Sequence, residues 1–590
     1  MRRTGSIVIA VLLIVSGLTM AQDVSTKEAG AYERKSVTYV NALWLMDESV
    51  RGLSSDKVGY ILSKVQNGIS MKRFDYNPVP ESYLTDFVAQ ANQLSFPPSV
   101  SLSIGDNDPM LDSITAVMER TIVPKILEVV DLAKEERAAG LTSEQQRNSF
   151  MADKAKTLGI TMEDVDKIVN SAYIYIPLLR NVTTVTSDSL YAATISAGII
   201  WFRISTKGEK ARAIAVVKRF TASTGLATIN KVYGTEKGPV DYKEFAFNSA
   251  VKNAVRNLVV ATQEIPDFRL SSQVVDQGFM SVGFNLGKNE GLTLDDKYLI
   301  VETVEEADGR LTQKENGWVM VTSVADSSSK QGYKSSALVM AGEPYTGVVL
   351  SEYPRIPVDI LFRGRMFPLS LDTMKSSTLF DSTAKIAGAY GGGIEAQYNI
   401  GKGGIGQFFL GLGGAAGLIV PSGEKKANVF GTSTYGKAKF GPSLAWAAEL
   451  TLTKKFYIGR VALVLQPAFG YQSVILITEK SPALGNSSNK EETYRLSNAA
   501  LGFEANAGLE IALSPSVNFG VGAGYQMYGS SKKWEYEVKK GTAENFEKIS
   551  TAENQNALNH TGITAHVYLV WSPPALAFDP ADAARGMAGL

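Results

Sequence analysis

The side chains that most often do chemistry are scarce in this sequence. Cysteine is absent, which removes disulfides, thiolate metal sites and cysteine nucleophiles together. The chain has two histidines, His560 and His566, and no G-x-S-x-G motif accompanies them. A histidine metal site or a catalytic triad is therefore not expected. The sequence predicts a protein that is not an enzyme and has no catalytic residues, no metal and no cofactor.

Two glycine-rich stretches, 411–417 and 520–524, imitate a dinucleotide-binding loop. Phosphate binding by such a loop requires that it open a helix directly after a strand. Neither stretch has that context, because both continue as alternating strand patterns. Small residues in the wall of a β-barrel explain both stretches better than a nucleotide site does.

A further set of residues is charged and lies on the polar face of alternating strands. The set is Arg363, Arg365, Glu395, Glu449, Arg460, Glu504 and Glu510. Buried carboxylates and guanidiniums are costly unless they pair. We therefore expect these residues to form a salt-bridged network inside a barrel, with a proton or ion path as the functional alternative.

The element that positions several of these residues runs from 499 to 529. Every second residue is apolar up to Leu513, and after a turn at 514–516 the alternation resumes as far as Met527. A period of two is typical of a strand. One face is continuously apolar, whereas the other mixes carboxylates, amides and glycines. Such long strands, joined by short turns on one side, predict a transmembrane β-barrel.

The same alternation recurs between 353 and 573 and predicts eight antiparallel strands. Short turns are expected at 401–405, 453–455 and 514–516, and long connections at 421–434, 479–492 and 530–560. Bacterial barrels keep their short turns in the periplasm and their long loops outside. Since side chains fill an eight-stranded barrel, we expect the inward glycines Gly520, Gly522 and Gly524 to leave space for the arginines.

The last predicted strand ends in an aromatic residue and carries the pattern that a barrel-insertion machine reads. Its outward residues are Ile563, Ala565, Val567, Leu569 and Trp571. The Pro573-Pro574 pair then breaks the strand. Residues 574–590 are predicted to form a disordered tail, with a small partner tether as the alternative.

The N-terminus has the pattern of a secretory signal peptide over residues 1–21. Arg2 and Arg3 supply the positive region, an apolar run reaches Leu18, and small residues end at Ala21. No later segment has the uninterrupted apolar length of a membrane helix. Any membrane attachment of the mature chain is therefore expected to come from strands.

Residues 22–264 alternate strands with amphipathic helices and predict an α/β module. A strand opens at Arg73-Phe74, a hairpin ends near Thr224-Gly225, and 250–255 lie in a closing helix. On these residues the region resembles the periplasmic α/β module of the curli-export lipoprotein family, which is related to the N-terminal module of the Tol translocation protein. A helical stretch at about 105–170 looks like an insertion. The family's lipid-anchoring cysteine is missing, and a barrel would replace it as the anchor.

Residues 265–352 predict a second, small β module. Its signature is the stretch 282–287, followed by 291–296, in which Asp295-Asp296 marks a bend before a new strand. This stretch resembles the C-terminal β module of the flagellar T-ring protein family, which also follows a module of the preceding kind.

The fold class predicted is therefore multidomain: a periplasmic α/β module, a small β module and a C-terminal eight-stranded transmembrane barrel. We expect an outer-membrane protein of a two-membrane bacterium, with its N-terminal region in the periplasm. The expected partners are outer-membrane lipid and periplasmic or outer-membrane proteins; a homo-oligomer stays open, and balanced charge gives no indication of nucleic acid. The resemblance implies a role in secretion or surface-appendage assembly. The alternatives are a tether to peptidoglycan or an inner-membrane complex, and an outer-membrane enzyme.

Overall fold

The structure is a computed structural model of the 590-residue chain. It describes Gly586 and residues 35–574 with gaps at 41–43, 46–47, 70–73, 92, 95–108, 140–142, 159–164, 166–167, 169–171, 206–210, 236–237, 264–267, 306–310, 327–333, 373, 377–379, 383–384, 420–425, 430–436, 480, 483–490 and 541–542. The predicted signal peptide lies outside the described residues, as does most of the predicted tail.

The first part of the chain forms an α/β module, which consists of a mixed sheet with helices on both faces. Its strands are β1 (Lys35–Tyr39), β2 (Trp44–Leu45), β3 (Phe74–Pro78), β4 (Tyr173–Thr186), β5 (Leu190–Ser205), β6 (Arg212–Thr228), β7 (Val232–Thr235) and β8 (Gly238–Asp241). Its helices are α1 (Glu48–Arg51), α2 (Ser55–Ile69), α3 (Glu81–Ala91), α4 (Pro109–Ala138), α5 (Glu144–Leu158) and α6 (Tyr242–Gln263). Strand order is β3-β1-β4-β5-β6, with β2 beside β4, while β7 and β8 pair separately.

Two hydrophobic cores hold the α/β module together, one on each face of the sheet. Helices α3, α4 and α5 pack on one face, and α2 and α6 pack on the other. Helix α4 continues through Pro124. Helix α5 begins with a capping box, because the backbone N–H of Gln146 donates to Ser143 and its side chain accepts from the Ser143 N–H. None of the described helices is long and apolar enough to cross a membrane.

The second part of the chain is a closed barrel of six strands, here called the small barrel. The strands are β9 (Ser271–Gly278), β10 (Ser281–Phe284), β11 (Lys297–Glu305), β12 (Leu311–Ser323), β13 (Ser335–Ala341) and β14 (Val349–Tyr353). They pair in the order β10-β13-β12-β11-β14-β9, and the ring closes between β9 and β10. The bend before β11 is held by Asp296, whose carboxylate accepts from the N–H and hydroxyl of Thr293 at 2.7 and 2.9 Å.

The C-terminal part is dominated by a second, larger sheet. The strands of the C-terminal part are β15 (Val358–Leu371), β16 (Met374–Ser376), β17 (Phe380–Ser382), β18 (Ile386–Asn399), β19 (Phe408–Ile419), β20 (Lys426–Val429), β21 (Lys437–Lys439), β22 (Ser443–Ile458), β23 (Val461–Ile477), β24 (Ser481–Pro482), β25 (Glu491–Ala512), β26 (Val517–Lys540) and β27 (Glu547–Trp571). The eight long strands pair in the cyclic order β15-β18-β19-β22-β23-β25-β26-β27, with β23 joined to β25 and β27 to β15. This ring is called the large barrel.

Two connections of the large barrel differ from the predicted ones. The turn expected at 453–455 lies at Gly459-Arg460, because β22 continues to Ile458. The long loop expected at 530–560 is a hairpin, because β26 extends to Lys540 and β27 starts at Glu547. Alternating Trp534, Tyr536 and Val538, all buried, continue the strand pattern and explain the extension. The short strands β16, β17, β20 and β21 form a separate sheet near that end.

Candidate functional site

The most distinctive chemistry of the chain lies inside the large barrel, where two arginines hold three glutamates. Arg363 Nη2 lies 2.8 Å from Glu395 Oε2, and its Nη1 lies 3.8 Å from Glu449 Oε2. Arg365 Nη1 pairs with Glu449, while Nη2 lies 2.8 Å from Glu504 Oε2. All five side chains are at most 7% exposed. Four strands that are distant in sequence are thereby linked across the lumen.

Neutral side chains supply further hydrogen bonds to this network. Glu395 Oε1 accepts from Thr451 Oγ1 at 2.5 Å, from Gln397 Nε2 at 2.8 Å and from Gln466 Nε2 at 3.1 Å. The Gln466 carbonyl in turn accepts from Arg363 Nη2 at 2.7 Å. A buried ion pair requires such secondary partners, because its desolvation otherwise exceeds its Coulombic gain. The network therefore acts as a polar crosslink of the barrel wall.

A second buried ion pair lies nearer to the short-turn end of the barrel. Glu510 Oε1 accepts from Lys455 Nζ at 2.9 Å, from Tyr457 OH at 2.8 Å and from Asn518 Nδ2 at 2.7 Å. Asp359 lies 4.0 Å from the same ammonium group. The sequence pattern predicted that Lys455 lies in a short turn at 453–455. Lys455 lies an even number of residues after the inward Glu449, and this strand alternation is the signal in the sequence that would have placed Lys455 inside the barrel.

Arg460 is placed outside this network, contrary to its predicted position. It lies in the turn after Gly459, and its Nε donates to the backbone oxygen of Met340 in the small barrel at 2.9 Å. The reason is the extension of β22 beyond Lys455 to Ile458, which moves the turn from 453–455 to 459–460. The other predicted charges, Arg363, Arg365, Glu395, Glu449, Glu504 and Glu510, all face the lumen.

The inward glycines make room for an aromatic ring, an imidazole and an amide. A Cβ on Gly520 would collide with the ring of Tyr568, and one on Gly522 with the ring of His566. Gly524 lies against Asn506 in the same way. The space expected for the arginines is therefore occupied by side chains of β27 and β25. Small residues let these larger neighbours cross the lumen.

Both histidines lie inside the barrel. His560, which the sequence placed in a long external loop, is fully buried on β27 and contacts Asn498 Oδ1 at 2.9 Å and Gln472 Nε2 at 3.2 Å. These partners are amides, so neither a metal centre nor a Ser-His pair is assembled around it. The described residues contain no group of three acidic, histidine or cysteine side chains suited to a metal ion.

Farther from the short turns, the lumen becomes apolar. The buried side chains there form one cluster from all eight strands, which includes Phe367, Leu369, Ile419, Val474, Leu496, Trp534 and Leu558. The polar network thus occupies only part of the interior. A cavity beside Arg363, Gln397 and Gln466 measures about 10 Å³, which is room for roughly one water molecule.

The outer face of the large barrel carries a belt of exposed apolar side chains. The belt includes Phe362, Tyr390, Ile394, Tyr398, Leu410, Leu412, Leu418, Leu450, Leu452, Phe456, Leu463, Leu465, Phe469, Leu501, Phe503, Leu509, Ile511, Phe519, Val521, Tyr525, Met527, Ile563, Val567, Leu569 and Trp571. On β25 it runs from Leu501 to Ile511. At about 3.4 Å per residue and a tilt of about 40°, this length rises roughly 25 Å. The predicted insertion residues Ile563, Ala565, Val567, Leu569 and Trp571 all lie on this outward face.

The small barrel sits on the short-turn end of the large barrel and contacts all three turns. Asp295 Oδ2 accepts from Asn399 Nδ2 at 2.7 Å and from the Gln407 backbone N–H at 2.6 Å. Lys402 pairs with Asp296 at 2.8 Å, and Lys297 Nζ donates to the Pro515 carbonyl at 2.5 Å. Apolar contacts join Trp318, Met320 and Met340 to Ala512 and Tyr457. These contacts cover the mouth of the large barrel.

A cavity of about 250 Å³ remains between the two barrels. Its lining mixes cations and anions, among them Lys297, Asp296, Asp359 and Lys455. Burial lowers the pKa of Lys297 to about 8, although Asp359 and Glu510 act in the opposite direction. The charges of this junction are largely committed to one another by ion pairs.

One residue of the C-terminal segment is described, and it lies on the α/β module. The Gly586 carbonyl accepts from Thr228 Oγ1 at 2.8 Å and from Tyr233 OH at 2.9 Å. A Cβ on Gly586 would collide with the Leu226 backbone oxygen. The other residues of the predicted tail after 574 lie outside the described part of the chain.

Comparison with known proteins gives remote structural likenesses alone. No family model matches the chain, and no curated protein matches it. Neisserial surface protein A is 11% identical over 38% of this chain and 100% of its own, with a TM-score of 0.20. A major outer membrane protein from Thermus thermophilus is 10% identical over 36% of this chain and 98% of its own, with a TM-score of 0.23. The outer membrane protease OmpT from Escherichia coli is 9% identical over 38% of this chain and 99% of its own, with a TM-score of 0.21. No function is transferred from these proteins.

Proposed function

We propose that this chain is a non-enzymatic outer-membrane protein, in which a sealed eight-stranded barrel anchors binding modules on the periplasmic side. The observation that carries the proposal is the belt of exposed apolar side chains around the large barrel. In water such a surface would be far larger than the apolar patch of a typical soluble monomer. A height of about 25 Å is the height of the lipid-facing band of outer-membrane barrels.

The contents of the lumen favour an anchor over a conduit. The Arg363 and Arg365 network bridges the wall at one level, and the apolar cluster around Phe367 and Trp534 fills the next. The small barrel covers the mouth at the short turns. Ions crossing this lumen would have to break buried ion pairs, which is costly.

The sidedness follows from the connections. Short turns of bacterial barrels face the periplasm, and the small barrel sits at the short-turn end. The long β25, β26 and β27 strands extend at the opposite end. The hairpin between the end of β26 at Lys540 and the start of β27 at Glu547 would therefore project from the cell surface.

The partners proposed for the periplasmic side are envelope proteins in secretion or surface-appendage assembly. This step rests on the resemblance of the α/β module to the curli-export lipoprotein family and of the small barrel to the flagellar T-ring protein family. The alternative partner class is peptidoglycan or an inner-membrane complex. Crosslinking of the full chain in intact cells, followed by gentle solubilisation of outer membranes and purification, separates the two. Secretion or appendage components support the proposal, while cell-wall fragments favour the tether.

Membrane extraction tests the anchor independently of any partner. Washing isolated outer membranes with concentrated urea removes peripheral proteins but leaves integral barrels. We expect the full chain to stay in the membrane pellet after the wash. Its quantitative release, with the pellet's other barrel proteins retained, would contradict the proposed anchor.

A further inference from the structure

The tip of the β9–β10 hairpin exposes a large aromatic side chain beside the large barrel. Gly278 pairs with Ser281, so Phe279 and Met280 form the two-residue turn between the strands. Phe279 is 84% exposed, and Met280 has a φ of 55°. Tight turns favour glycine, asparagine and aspartate at such a position, since a bulky residue with positive φ is strained. Local turn chemistry therefore gives no reason for Phe-Met at this tip.

The position of the tip supplies a reason. The Met280 methyl group lies against the turn between β22 and β23, where a Cβ on Gly459 would come within 2.5 Å of it. The Met280 carbonyl accepts from the Val339 N–H at 2.9 Å, and the next turn residue, Arg460, donates to Met340. Met280 thus contacts the rim of the large barrel at Gly459, and the neighbouring strand β13 contacts the same turn through Met340.

The rim at this point is the end of the apolar belt. Ile458 and Val461, which flank the Gly459-Arg460 turn, are 63% and 45% exposed. An exposed aromatic residue beside such a rim lies where a lipid monolayer would meet the small barrel. Aromatic side chains are enriched at membrane interfaces because their rings sit at headgroup level.

We propose that Phe279 and Met280 form a lipid-contacting foot, by which the small barrel touches the periplasmic leaflet next to the β22–β23 turn. This inference rests on the proposed membrane anchor. The occupant is lipid, because the exposed tip continues the belt without a break, from Ile458 and Val461 through Gly459 to Met280. The foot adds a second attachment beyond the barrel wall and fixes the tilt of the small barrel against the membrane.

The absence of cysteine from the sequence makes a clean test available. Single variants Phe279→Cys, Leu463→Cys and Val185→Cys of the full chain are spin-labelled and reconstituted into dioleoylphosphatidylcholine vesicles. Leu463 lies in the belt, and Val185 is an exposed apolar residue of the α/β module, 68% accessible. Collisions with lipid-soluble oxygen and with a water-soluble nickel chelate are then compared at the three positions.

We expect the label at Phe279 to prefer oxygen, as at Leu463, while the label at Val185 prefers nickel. A nickel preference at Phe279 with an oxygen preference at Leu463 overturns the foot and leaves the anchor intact. A nickel preference at Leu463 overturns the anchor itself. Spin–spin broadening at Phe279 that disappears on dilution with unlabelled protein would instead identify a second copy as the occupant and overturn the lipid contact.

Discussion

Asp295 of the small barrel accepts a hydrogen bond from Asn399 of the large barrel at 2.7 Å, across 104 residues of sequence. The same carboxylate oxygen accepts from the backbone of Gln407 at 2.6 Å, within the first short turn. Asp295 holds a φ of 69°, an uncommon conformation for a residue other than glycine. One side chain thereby fixes the turn that joins β18 to β19 and seats the small barrel upon it.

Replacing Asp295 with alanine should loosen this junction. The change removes the acceptor of the buried Asn399 amide and of the half-buried Gln407 N–H. Leaving a buried donor unsatisfied costs about 1–3 kcal/mol. Hydrogen exchange of the full chain should show faster exchange of the Gln407 amide and its neighbours. Asp276→Ala is the matched control, because Asp276 forms an exposed ion pair with Lys334 at 3.2 Å. Equal exchange in both variants would show that the junction does not depend on Asp295.

The outward face of β25 should tolerate charge according to depth. An outward arginine costs about 2–4 kcal/mol at the midplane of such a barrel and about 0–1 kcal/mol near the interfaces. Leu509→Arg, which lies inside the belt, should therefore destabilise the barrel more than Leu513→Arg at the short turn. Reversible denaturation in vesicles measures both. Asn506→Arg, on the inner face, should also be destabilising, because Asn506 is packed against Gly524 and donates to Glu504 at 2.9 Å. Similar costs at Leu509 and Leu513 would argue against a lipid-facing surface.

Removing the guanidinium of Arg365 should be severe. Arg365→Met leaves the buried Glu504 without its arginine and Glu449 with only the 3.8 Å contact to Arg363. Breaking a buried ion pair in this way typically costs about 3–5 kcal/mol. Adding Glu449→Gln and Glu504→Gln should recover much of the loss, since the uncompensated charge is then gone. Arg495→Met serves as the control, because its ion pair with Glu537 is 35% exposed on the arginine side. Denaturation midpoints of the folded barrel report all four proteins, and a triple variant no better than Arg365→Met would show that charge is not the cause.

The buried ammonium of Lys297 should make stability depend on pH. Its pKa in the folded protein is lowered to about 8 by burial, whereas the unfolded chain keeps the proton up to about 10.4. The unfolded state therefore binds more protons between these values, and stability should rise with pH across that window and be flat below it. Lys297→Met should remove this slope in chemical denaturation followed by circular dichroism. An unchanged slope in the variant would assign the titration to another group.

The C-terminal segment and the last strand should behave differently on mutation. Deleting 575–590 should leave membrane insertion intact, because β27 ends at Trp571. Trp571→Asp should impair insertion, since Trp571 is an outward residue paired in register with Ile360 and Val517, where the ring closes. Quantifying each variant in outer-membrane fractions compares them. Failure of the deletion alone would mean that the insertion signal extends beyond Trp571.

Residue parity was enough to place most of the lumen. Strand side chains alternate strictly between faces, so the sequence places Arg363, Arg365, Glu395, Glu449 and Glu504 on one side without knowledge of their partners. The structure brings all five into ion-pair contact. Parity is a local property, and it survives uncertainty about which strands are neighbours.

Features that depend on distant partners could not be derived in this way. Lys454-Lys455 has the composition of a turn. Lys455 nevertheless continues the strand, because its buried ammonium group pairs with Glu510, which is 55 residues away in the sequence. That one displacement also moved Arg460 from the expected lumen to the rim. The closed form of the small barrel and its seat on Asn399 and Gln407 likewise depend on contacts that no local pattern encodes.

The contact of Gly586 with Thr228 and Tyr233 joins parts of the chain that lie 358 and 353 residues apart in the sequence. Because a chain is synthesised from its N-terminus, the α/β module is complete long before Gly586, which follows every strand of the large barrel. The acceptor for the Tyr233 hydroxyl therefore arrives when the whole barrel sequence has already emerged. A chain truncated anywhere upstream of Gly586 lacks that acceptor. Docking of Gly586 on the first module is thus possible only in a chain that already contains every strand of the large barrel.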